Sequence, residues 1–364
     1  MLTQTEPLDR ADVLAGCTRF FGTPPRSMKA RLLEIAEELN NVERPDLYGG
    51  GELLESFESE MARLLGKEAA VFMPSGTMAQ QIALRIHADH IENRNVAMHP
   101  QSHLFVSEAN AFQTLHPLHG IPVGDRSRLF TLTDLEAVRE RIGSLLIELP
   151  ERNIGGALRR WSELKAMTDW ARSRGIALQM DGARLWESQP YYDRPLAEIA
   201  GLFDSVYVSF YKVLGAIAGA ALAGPKSLID EARVWQQRHG GRLVAQYPMI
   251  LSARSGLRRY LHRIPLYCKR AREIAAILDA MDGVDITPNP PPTNMFHGYV
   301  RGEMSLLEQA ALRVSQGSSV WLIGRFQTTE NPAMQMFELT CGEGSLSITD
   351  SEVQDLFSRA FSAA

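Results

Sequence analysis

Short apolar runs of strand length alternate with helical patterns between residues 69 and 210, and this alternation constrains the fold more than any other feature of the sequence. The strand candidates are 69–73, 95–98, 144–148, 176–180 and 206–210. Most of the segments between them carry apolar residues at helical spacing. Strands that alternate with helices in this way are typical of βαβ units, whose strands run parallel. The sequence therefore predicts an α/β fold with a mostly parallel sheet flanked by helices.

A change in pattern after about residue 227 predicts a separate C-terminal region. Helical stretches replace the alternation, and a proline-rich segment at 288–292 precedes the last strand candidates. Those candidates are 295–300, 320–322 and 334–340, with helical patterns at 306–316 and 350–361. We expect three regions: an N-terminal arm and helix over 1–40, a large domain over 41–253 and a small C-terminal α+β domain over 254–364.

The composition indicates an ordinary globular chain and argues against two classes of partner. Of the 364 residues, 45% are hydrophobic and 22% are charged, and the formal net charge is −5. A modest negative charge argues against nucleic acid or an anionic membrane surface as the main partner. The uncharged run near Lys212 is far shorter than the roughly 18 residues that cross a bilayer. We therefore expect a small-molecule partner, with no nucleic acid and no membrane.

The spacing of cysteine and histidine predicts a reduced chain without a metal site. Cys17, Cys268 and Cys341 are odd in number and far apart, which fits a reducing cytoplasm and excludes a CxxC metal motif. The N-terminus lacks a basic region followed by an apolar one, so no secretory signal is expected. His99 and His103 have the spacing of metal ligands, but no third ligand has a supporting pattern. We expect a cytoplasmic protein that binds no metal.

Polar residues follow the ends of the strand candidates, where ligands bind in parallel α/β sheets. These residues are Thr77, His103, Glu148, Asp181, Ser209 and Lys212. In the turn after the first of these strands, Ser75 has the place of a helix N-cap, and Gly76 allows an anion to approach the free amides of the helix. This turn predicts a phosphate site, and an ordinary capped helix is the alternative.

Lys212 follows a strand of β-branched and aromatic residues and precedes an uncharged run rich in Gly and Ala. A lysine in that position is poorly solvated, because no carboxylate stands beside it in sequence, and desolvation lowers the pKa of its ammonium group. A low pKa is what a lysine needs to form an imine with a carbonyl compound. The alternative is a lysine that leaves the core and extends its amine into water.

A phosphate-binding turn, a histidine, an aspartate and a buried lysine at strand ends together suit pyridoxal phosphate. In such a site Lys212 bonds the aldehyde carbon, and Asp181 keeps the pyridinium nitrogen protonated so that the ring accepts electrons. His103 can stack on the ring, and the turn at 75–77 holds the phosphate. The sequence therefore predicts a pyridoxal 5′-phosphate cofactor.

Four segments resemble motifs of the threonine aldolase and β-eliminating lyase group of pyridoxal-phosphate enzymes, which have the aspartate-aminotransferase fold. In the family order, they are Tyr48-Gly49, the segment 65–78, Asp181-Gly182-Ala183-Arg184 and Lys212-Val213-Leu214-Gly215-Ala216. The resemblance implies that Lys212 carries the cofactor, that Asp181 meets the ring nitrogen and that His103 stacks on the ring.

The resemblance also implies how the rest of the cofactor is held. Gly76, Thr77 and Ser209 would hold the phosphate, and Arg184 would face the 3-oxygen of the ring. Arg242 follows two glycines in a stretch that resembles a segment reaching the phosphate of a neighbouring subunit. The active site of this fold is usually built at a dimer interface, so we expect a homodimer or a homotetramer.

The sequence departs from the family pattern at two places that concern the substrate. In the loop 148–156, Glu151 stands where the family has a histidine that is a candidate for proton transfer. Near the C-terminus, where aldolases place an arginine for the substrate carboxylate, the sequence is Phe-Glu-Leu-Thr at 337–340. Arg19, Arg152 or Arg325 could supply that charge instead.

The predicted function is cleavage of the Cα–Cβ bond of a β-hydroxy-α-amino acid to glycine and an aldehyde. Glu151, His103 or a bound water would remove the proton of the β-hydroxyl group. A carboxylate base would need a raised pKa to act near neutrality, and burial in the loop could supply it. The alternatives are a β-eliminating lyase for another amino acid and a non-catalytic protein that binds the cofactor.

Overall fold

The structure of the protein is a computed structural model that describes residues 7–39 and 44–362. Its contacts divide the chain into a larger unit, residues 26–263, and a smaller unit formed by residues up to 25 together with 264 onward. The helical segment 254–263 therefore belongs to the larger unit, and the segment before residue 26 belongs to the smaller one. The boundary expected between residues 40 and 41 lies outside the described residues. The three-region division stays a prediction.

The elements are numbered in chain order. The strands are β1 (Arg19–Phe20), β2 (Ala69–Met73), β3 (Asn95–Met98), β4 (His119–Pro122), β5 (Ser144–Glu148), β6 (Ala177–Gly182), β7 (Ser205–Ser209), β8 (Ala220–Gly224), β9 (Val284–Thr287), β10 (Met295–Arg301), β11 (Val320–Trp321), β12 (Phe326–Thr328) and β13 (Met334–Thr340). The helices are α1 (Arg10–Gly16), α2 (Met28–Glu37), α3 (Glu52–Leu64), α4 (Gly76–Ile91), α5 (His103–Val106), α6 (Ala111–Leu115), α7 (Leu132–Glu136), α8 (Trp161–Ser173), α9 (Leu185–Tyr192), α10 (Leu196–Ala200), α11 (Lys226–Arg238), α12 (Tyr247–Tyr260), α13 (Ile264–Asp279), α14 (Met304–Ser318) and α15 (Asp350–Phe361).

The larger unit is built on a seven-stranded sheet with the strand order β2-β8-β7-β6-β5-β3-β4. The strands β7, β6, β5, β3 and β4 run parallel to one another. Strand β8 is antiparallel to both β7 and β2. Because β8 reverses the direction once on each side, β2 runs the same way as β7. The predicted α/β fold with a mostly parallel sheet is confirmed.

The register of this sheet aligns the residues that follow the strands. Glu148 lies opposite Asp181, and Asp181 lies opposite Tyr207 on the next strand. Ser209 lies opposite Ala220 of β8, which in turn lies opposite Met73 at the end of β2. The strand ends that carry the candidate site therefore meet at one edge of the sheet.

Helix α4 covers this part of the sheet through a buried apolar face. Ala79, Ile82 and Ile86 recur at helical spacing, and all three are fully buried in a cluster with residues of β2, β7 and β8. Burying a side chain such as Ile82 contributes about 1.5–3 kcal/mol. This packing fixes the position of the N-terminus of α4, which begins at the candidate phosphate turn.

The smaller unit has a four-stranded antiparallel sheet with the order β12-β13-β10-β9. Its core joins this sheet to α13, α14 and α15 through buried aliphatic and aromatic residues such as Phe296, Phe337 and Phe357. The segment before residue 26 contributes β1, which pairs in parallel with β11. The predicted α+β character of the C-terminal region is confirmed. In the described part of the chain, no helix has the length and apolar character needed to span a bilayer.

Candidate active site

The turn between β2 and α4 forms a capped helix N-terminus at the carboxyl edge of the sheet. Ser75 is the N-cap, and its Oγ accepts a hydrogen bond from the amide of Met78 at 3.3 Å. The first amides of a helix have no intrahelical acceptor, so this end of α4 can bind an anion. Gly76 is required by the packing, because a Cβ atom there would lie 1.9 Å from Tyr207 Oη. Thr77 follows in the first turn of α4.

Lys212 lies three residues beyond the end of β7 and is half-buried. Burial lowers the pKa of its ammonium group, and the positive charges of Arg184 and Arg152 lower it further. The carboxyl groups of Asp181 and Glu187 oppose this shift. The fold therefore brings Lys212 into electrostatic contact with Asp181 and Arg184, the two residues of the Asp-Gly-Ala-Arg segment that the sequence analysis singled out.

Asp181 is buried near the end of β6, where its Oδ1 accepts a hydrogen bond from the amide of Ala183 at 3.0 Å. Burial raises the pKa of this carboxyl group, and the hydrogen bond and the positive charge of His103 oppose that rise. On the neighbouring strand, Ser209 is also buried, and its Oγ donates to the carbonyl oxygen of Ala183 at 2.8 Å. Asp181 and Ser209 are thus held beside each other, because both side chains are hydrogen-bonded to the backbone of Ala183.

His103 begins α5, and its ring is fixed by an ion pair. Nδ1 lies 2.9 Å from Oε1 of Glu108, whose side chain is buried. The hydrogen bond to Glu108 raises the pKa of His103, and the negative charges of Asp181 and Glu148 add to the rise. Glu108 therefore favours the protonated form of the ring and fixes its orientation, with Nε2 directed away from Glu108.

Glu151 is buried in a cluster of polar groups behind the strand end. Burial raises its pKa to about 8, and the nearby guanidinium of Arg159 opposes the rise. Glu148 is hydrogen-bonded to it, and burial together with the charge of Glu151 raises the pKa of Glu148 well above its ordinary value. His99 lies 3.7 Å away, but its Nε2 donates to the carbonyl oxygen of Arg128. Arg159 therefore supplies the positive charge that opposes the rise in the pKa of Glu151.

Arg242 lies on the exposed surface beside the Tyr48-Gly49 loop. Its Nε donates to the carbonyl oxygen of Tyr48, and its Nη1 donates to Gln237 at 3.3 Å. The preceding residue, Gly241, packs so closely on Met78 that a Cβ atom would lie 2.4 Å from the sulfur. Arg242 thus directly follows a residue that packs on the first turn of α4, while its own side chain contacts the Tyr48 loop.

The three arginines proposed for a substrate carboxylate have different surroundings. Arg19 forms an ion pair with Glu352 in the smaller unit, with Nη1 2.8 Å from Oε1. Arg152 is one of the two guanidinium groups whose charge acts on Lys212. Arg325 belongs to the smaller unit, next to β12. Electrostatic contact with Lys212 favours Arg152 among the three.

Four buried polar residues of this region were missed by the sequence analysis: Gln80, Glu108, Arg159 and Glu187. Gln80 and Glu108 link His103 to Asp181, and Arg159 faces Glu151. Burial raises the pKa of Glu187 to about 7 in spite of the positive charges of Arg184 and Lys212. Only Glu187 had a signal in the sequence, because it stands three residues after Arg184 at the start of a helix.

The donor set fits a phosphorylated heteroaromatic aldehyde. It contains an amine with a lowered pKa, a buried carboxyl group, a histidine and a helix N-terminus in which glycine keeps the approach to the amides open. Within residues 7–39 and 44–362, no three His, Cys, Asp or Glu side chains are grouped in a way that could hold a metal ion.

Comparison with known proteins identifies the same family as the motifs. The family model described as "Beta-eliminating lyase" matches residues 35–301. The low-specificity L-threonine aldolase 1 of Arabidopsis thaliana is 28% identical over 262 residues, which cover 69% of this chain and 72% of the relative.

Two solved structures match almost the whole chain. A chain from Listeria monocytogenes EGD-E, with a proposed L-allo-threonine aldolase activity, has a TM-score of 0.93 and 36% identity over 97% of this chain and 98% of its own. A chain from Exiguobacterium sp. 255-15, with a proposed assignment as an aromatic amino acid β-eliminating lyase/threonine aldolase, has a TM-score of 0.92 and 38% identity over 97% of this chain and 99% of its own.

Proposed function

The chain belongs to the β-eliminating lyase family, and we propose from this membership that it is a pyridoxal-phosphate-dependent aldehyde-lyase. Its substrate is a β-hydroxy-α-amino acid of the threonine type, which it cleaves between Cα and Cβ to glycine and an aldehyde. The observation that carries the proposal is Lys212, whose pKa is lowered by burial and which is in electrostatic contact with Asp181 and Arg184.

The donor set supports an assignment of the residues that would hold the cofactor. Lys212 would bind its aldehyde carbon and Asp181 would bind its ring nitrogen. Ser75, Gly76 and Thr77 at the N-terminus of α4, together with Ser209 at the end of β7, would bind its phosphate. When bound, the cofactor accepts the electron pair left at Cα as the Cα–Cβ bond breaks.

Three basic side chains complete the proposed cofactor site. His103 would stack on the ring, with its Nδ1 held by Glu108. Arg184 would face the 3-oxygen of the ring. Arg242 of one subunit would reach the phosphate bound by a second copy of the chain, once its side chain leaves the carbonyl oxygen of Tyr48.

The chain's own residues then divide the work on the substrate. The guanidinium group of Arg152 pairs with the substrate carboxylate. Its positive charge already acts on Lys212, which indicates that it lies close enough to the site for this role. The ionised form of Glu151 accepts the β-hydroxyl proton, so that Cβ becomes the carbonyl carbon of the departing aldehyde. A pKa raised to about 8 makes Glu151 a stronger base than an exposed carboxylate.

The activity is tested directly by aldehyde release. Purified protein with added pyridoxal phosphate should release acetaldehyde from DL-threonine or benzaldehyde from phenylserine, and glycine should form in equal amount. Lys212→Arg should abolish release, because it removes the nucleophilic amine and keeps the charge. Spectral change on adding amino acids without any product would instead indicate a non-catalytic binding protein. Ammonia and an oxoacid as products would indicate β-elimination.

The identity of the base is tested by pH profiles. If Glu151 accepts the proton, kcat should rise with pH towards about 8, and Glu151→Gln should lower kcat and remove the rise. If the rise persists in Glu151→Gln and disappears in His103→Phe, the base is His103. If both variants keep it, a bound water accepts the proton.

We also propose a cytoplasmic location and a homodimeric or homotetrameric assembly. The three cysteines Cys17, Cys268 and Cys341 are buried and form no disulfide, which is compatible with a reducing compartment. Sedimentation of the purified protein tests the assembly, and fractionation of the source cells tests the location.

A further inference from the structure

We propose that Glu108 and Gln80 are positioning residues that couple the charge of His103 to that of Asp181 through a buried chain of hydrogen bonds. The inference rests on the proposed function in one respect: His103 and Asp181 must both act on the bound cofactor. This chain of hydrogen bonds is proposed for the protein without cofactor and can be tested in the cofactor-free protein.

The first link joins His103 to Glu108. Nδ1 of His103 lies 2.9 Å from Oε1 of Glu108, and the Glu108 side chain is fully buried although the residue lies in the loop after α5. A buried carboxylate is stabilised by a positive partner, and among the described residues the His103 imidazole lies at hydrogen-bond distance and can supply that charge. Among the described residues, the second oxygen, Oε2, has no hydrogen-bond partner. Glu108 therefore depends on His103, and it fixes which ring nitrogen of His103 faces inward.

The second link joins Glu108 to Asp181 through Gln80. Gln80 is buried in the second turn of α4, and its Nε2 lies 3.5 Å from Oε1 of Glu108. The Gln80 side chain also acts on the Asp181 carboxyl group, whose pKa it lowers against the effect of burial. A primary amide carries two N–H donors, so one nitrogen can serve both carboxyl groups. Both neighbours are acceptors, which orients the amide nitrogen towards them.

The charges around this chain of hydrogen bonds explain how a change at Glu108 would affect the ionisation of His103 and Asp181. His103 faces the carboxyl groups of Glu108, Asp181 and Glu148, and Asp181 also acts on Glu151. One imidazolium thus stands among several buried carboxyl groups. Loss of Glu108 removes the strongest interaction that keeps His103 charged. A neutral His103 no longer favours the ionised form of Asp181, which is the form that pairs with a protonated ring nitrogen.

The first experiment measures the charge of His103 in the full chain without cofactor. Histidine is labelled with ¹⁵N, and the His103 ring signals, assigned by their loss in His103→Phe, are followed against pH. The wild-type pKa should lie above the ordinary 6.5. Glu108→Gln should bring it to 6.5 or below, and Gln80→Leu should lower it by less. The control is Gln81→Leu, which alters the next buried residue of the same helix and should leave the His103 pKa unchanged.

The second experiment is a double-mutant cycle on the affinity for pyridoxal phosphate. Glu108→Gln should weaken binding about tenfold, the usual size of a lost hydrogen bond to a charged group. In a His103→Phe background, which keeps an aromatic ring and removes the charge, the same change should weaken binding by less than about twofold. Circular dichroism confirms that each variant is folded.

These outcomes separate the two proposals. An unmoved His103 pKa in folded Glu108→Gln, or an equal loss of affinity in both backgrounds of the cycle, overturns the positioning role. Failure of wild-type protein to bind pyridoxal phosphate overturns the proposed function, and the ¹⁵N titration still decides whether the chain of hydrogen bonds sets the charge of His103.

Discussion

At the scale of single residues, the candidate site is dominated by carboxyl groups whose pKa is raised by burial. Glu148, Glu151, Asp181 and Glu187 are all buried, and desolvation is the main cause of the raised pKa of each. Glu187 is one clear case, because it is 2% exposed and its pKa is raised to about 7. A group like this links the stability of the protein to pH.

We predict that Glu187→Gln stabilises the cofactor-free protein at neutral pH and not at low pH. A folded-state pKa above the unfolded value means that stability is fully present below about 4.5 and is lost as pH rises towards 7. Glutamine resembles the protonated form and does not ionise. The variant should therefore gain up to about 3 kcal/mol on the wild type above pH 7. Urea denaturation at several pH values measures the difference.

Glu163→Gln is the control for the sign of this effect. Its hydrogen bond from Arg160 lowers the pKa of Glu163, so ionised Glu163 stabilises the fold above pH 4.5 and this stabilisation is lost at low pH. The Glu163 variant should accordingly be less stable than the wild type at neutral pH. A Glu187 variant whose difference from the wild type does not vary with pH would show that Glu187 has no raised pKa.

At the scale of elements, the turn into α4 combines close packing with an anion-binding helix end. We predict that Gly76→Ala destabilises the protein by about 1–3 kcal/mol or more, because the new Cβ atom would lie 1.9 Å from Tyr207 Oη and 2.3 Å from Cζ. The matched control is Gly317→Ala in α14, where a Cβ atom meets nothing within 4 Å. It should stabilise the helix by up to about 1 kcal/mol. Equal stability of the two variants in urea would contradict the close approach.

The cap of α4 should also affect cofactor binding. Ser75→Ala removes the acceptor for the amide of Met78, so it should cost about 1 kcal/mol of stability and weaken pyridoxal phosphate binding. Thr349→Ala removes the N-cap of α15 in the smaller unit and should cost a similar amount of stability. Its cofactor affinity, measured by fluorescence titration, should equal that of the wild type. An equal affinity in Ser75→Ala would remove this turn from the phosphate site.

The elements that the sequence predicted best are those with a strong local pattern. Strands β2, β3 and β5 were predicted with the bounds that the structure has, because each is a compact apolar run. Strand β8 was missed because Ala220-Ala221-Leu222-Ala223-Gly224 lacks β-branched residues, and its place depends on packing between β2 and β7.

The residues of the candidate site likewise fall into those with a local sequence pattern and those whose role depends on contacts with distant residues. Asp181 and Lys212 could be predicted, because a polar residue after a strand implies its place at the sheet edge. Glu108 and Gln80 could not be predicted, since their role depends on contacts with residues 5 and more than 20 positions away. No local pattern distinguishes a buried glutamine of this kind from Gln81 beside it.

At the scale of the whole molecule, the described residues leave one helix face without apolar partners. The sequence predicts a broad apolar stripe on α2, but of that stripe only Ile35 is buried. Met28 is 85% exposed, Leu32 is 63% exposed and Leu33 is 55% exposed. Scattered exposed leucines are ordinary, whereas several on one short helix mark an interaction surface.

We predict that α2 packs against a second copy of the chain in the proposed homo-oligomer. Covering an apolar side chain of this size contributes about 1.5–3 kcal/mol, so Leu32→Glu should remove that contribution and also leave a charge in the interface. Light scattering after size-exclusion chromatography should then give a lower mass than for the wild type. Leu306→Glu alters a leucine of α14 that is 50% exposed and should leave the mass unchanged. A wild type that is monomeric, or a Leu32→Glu variant of unchanged mass, would show that this face is not the interface. In the monomeric case, the site would have to be complete within one chain.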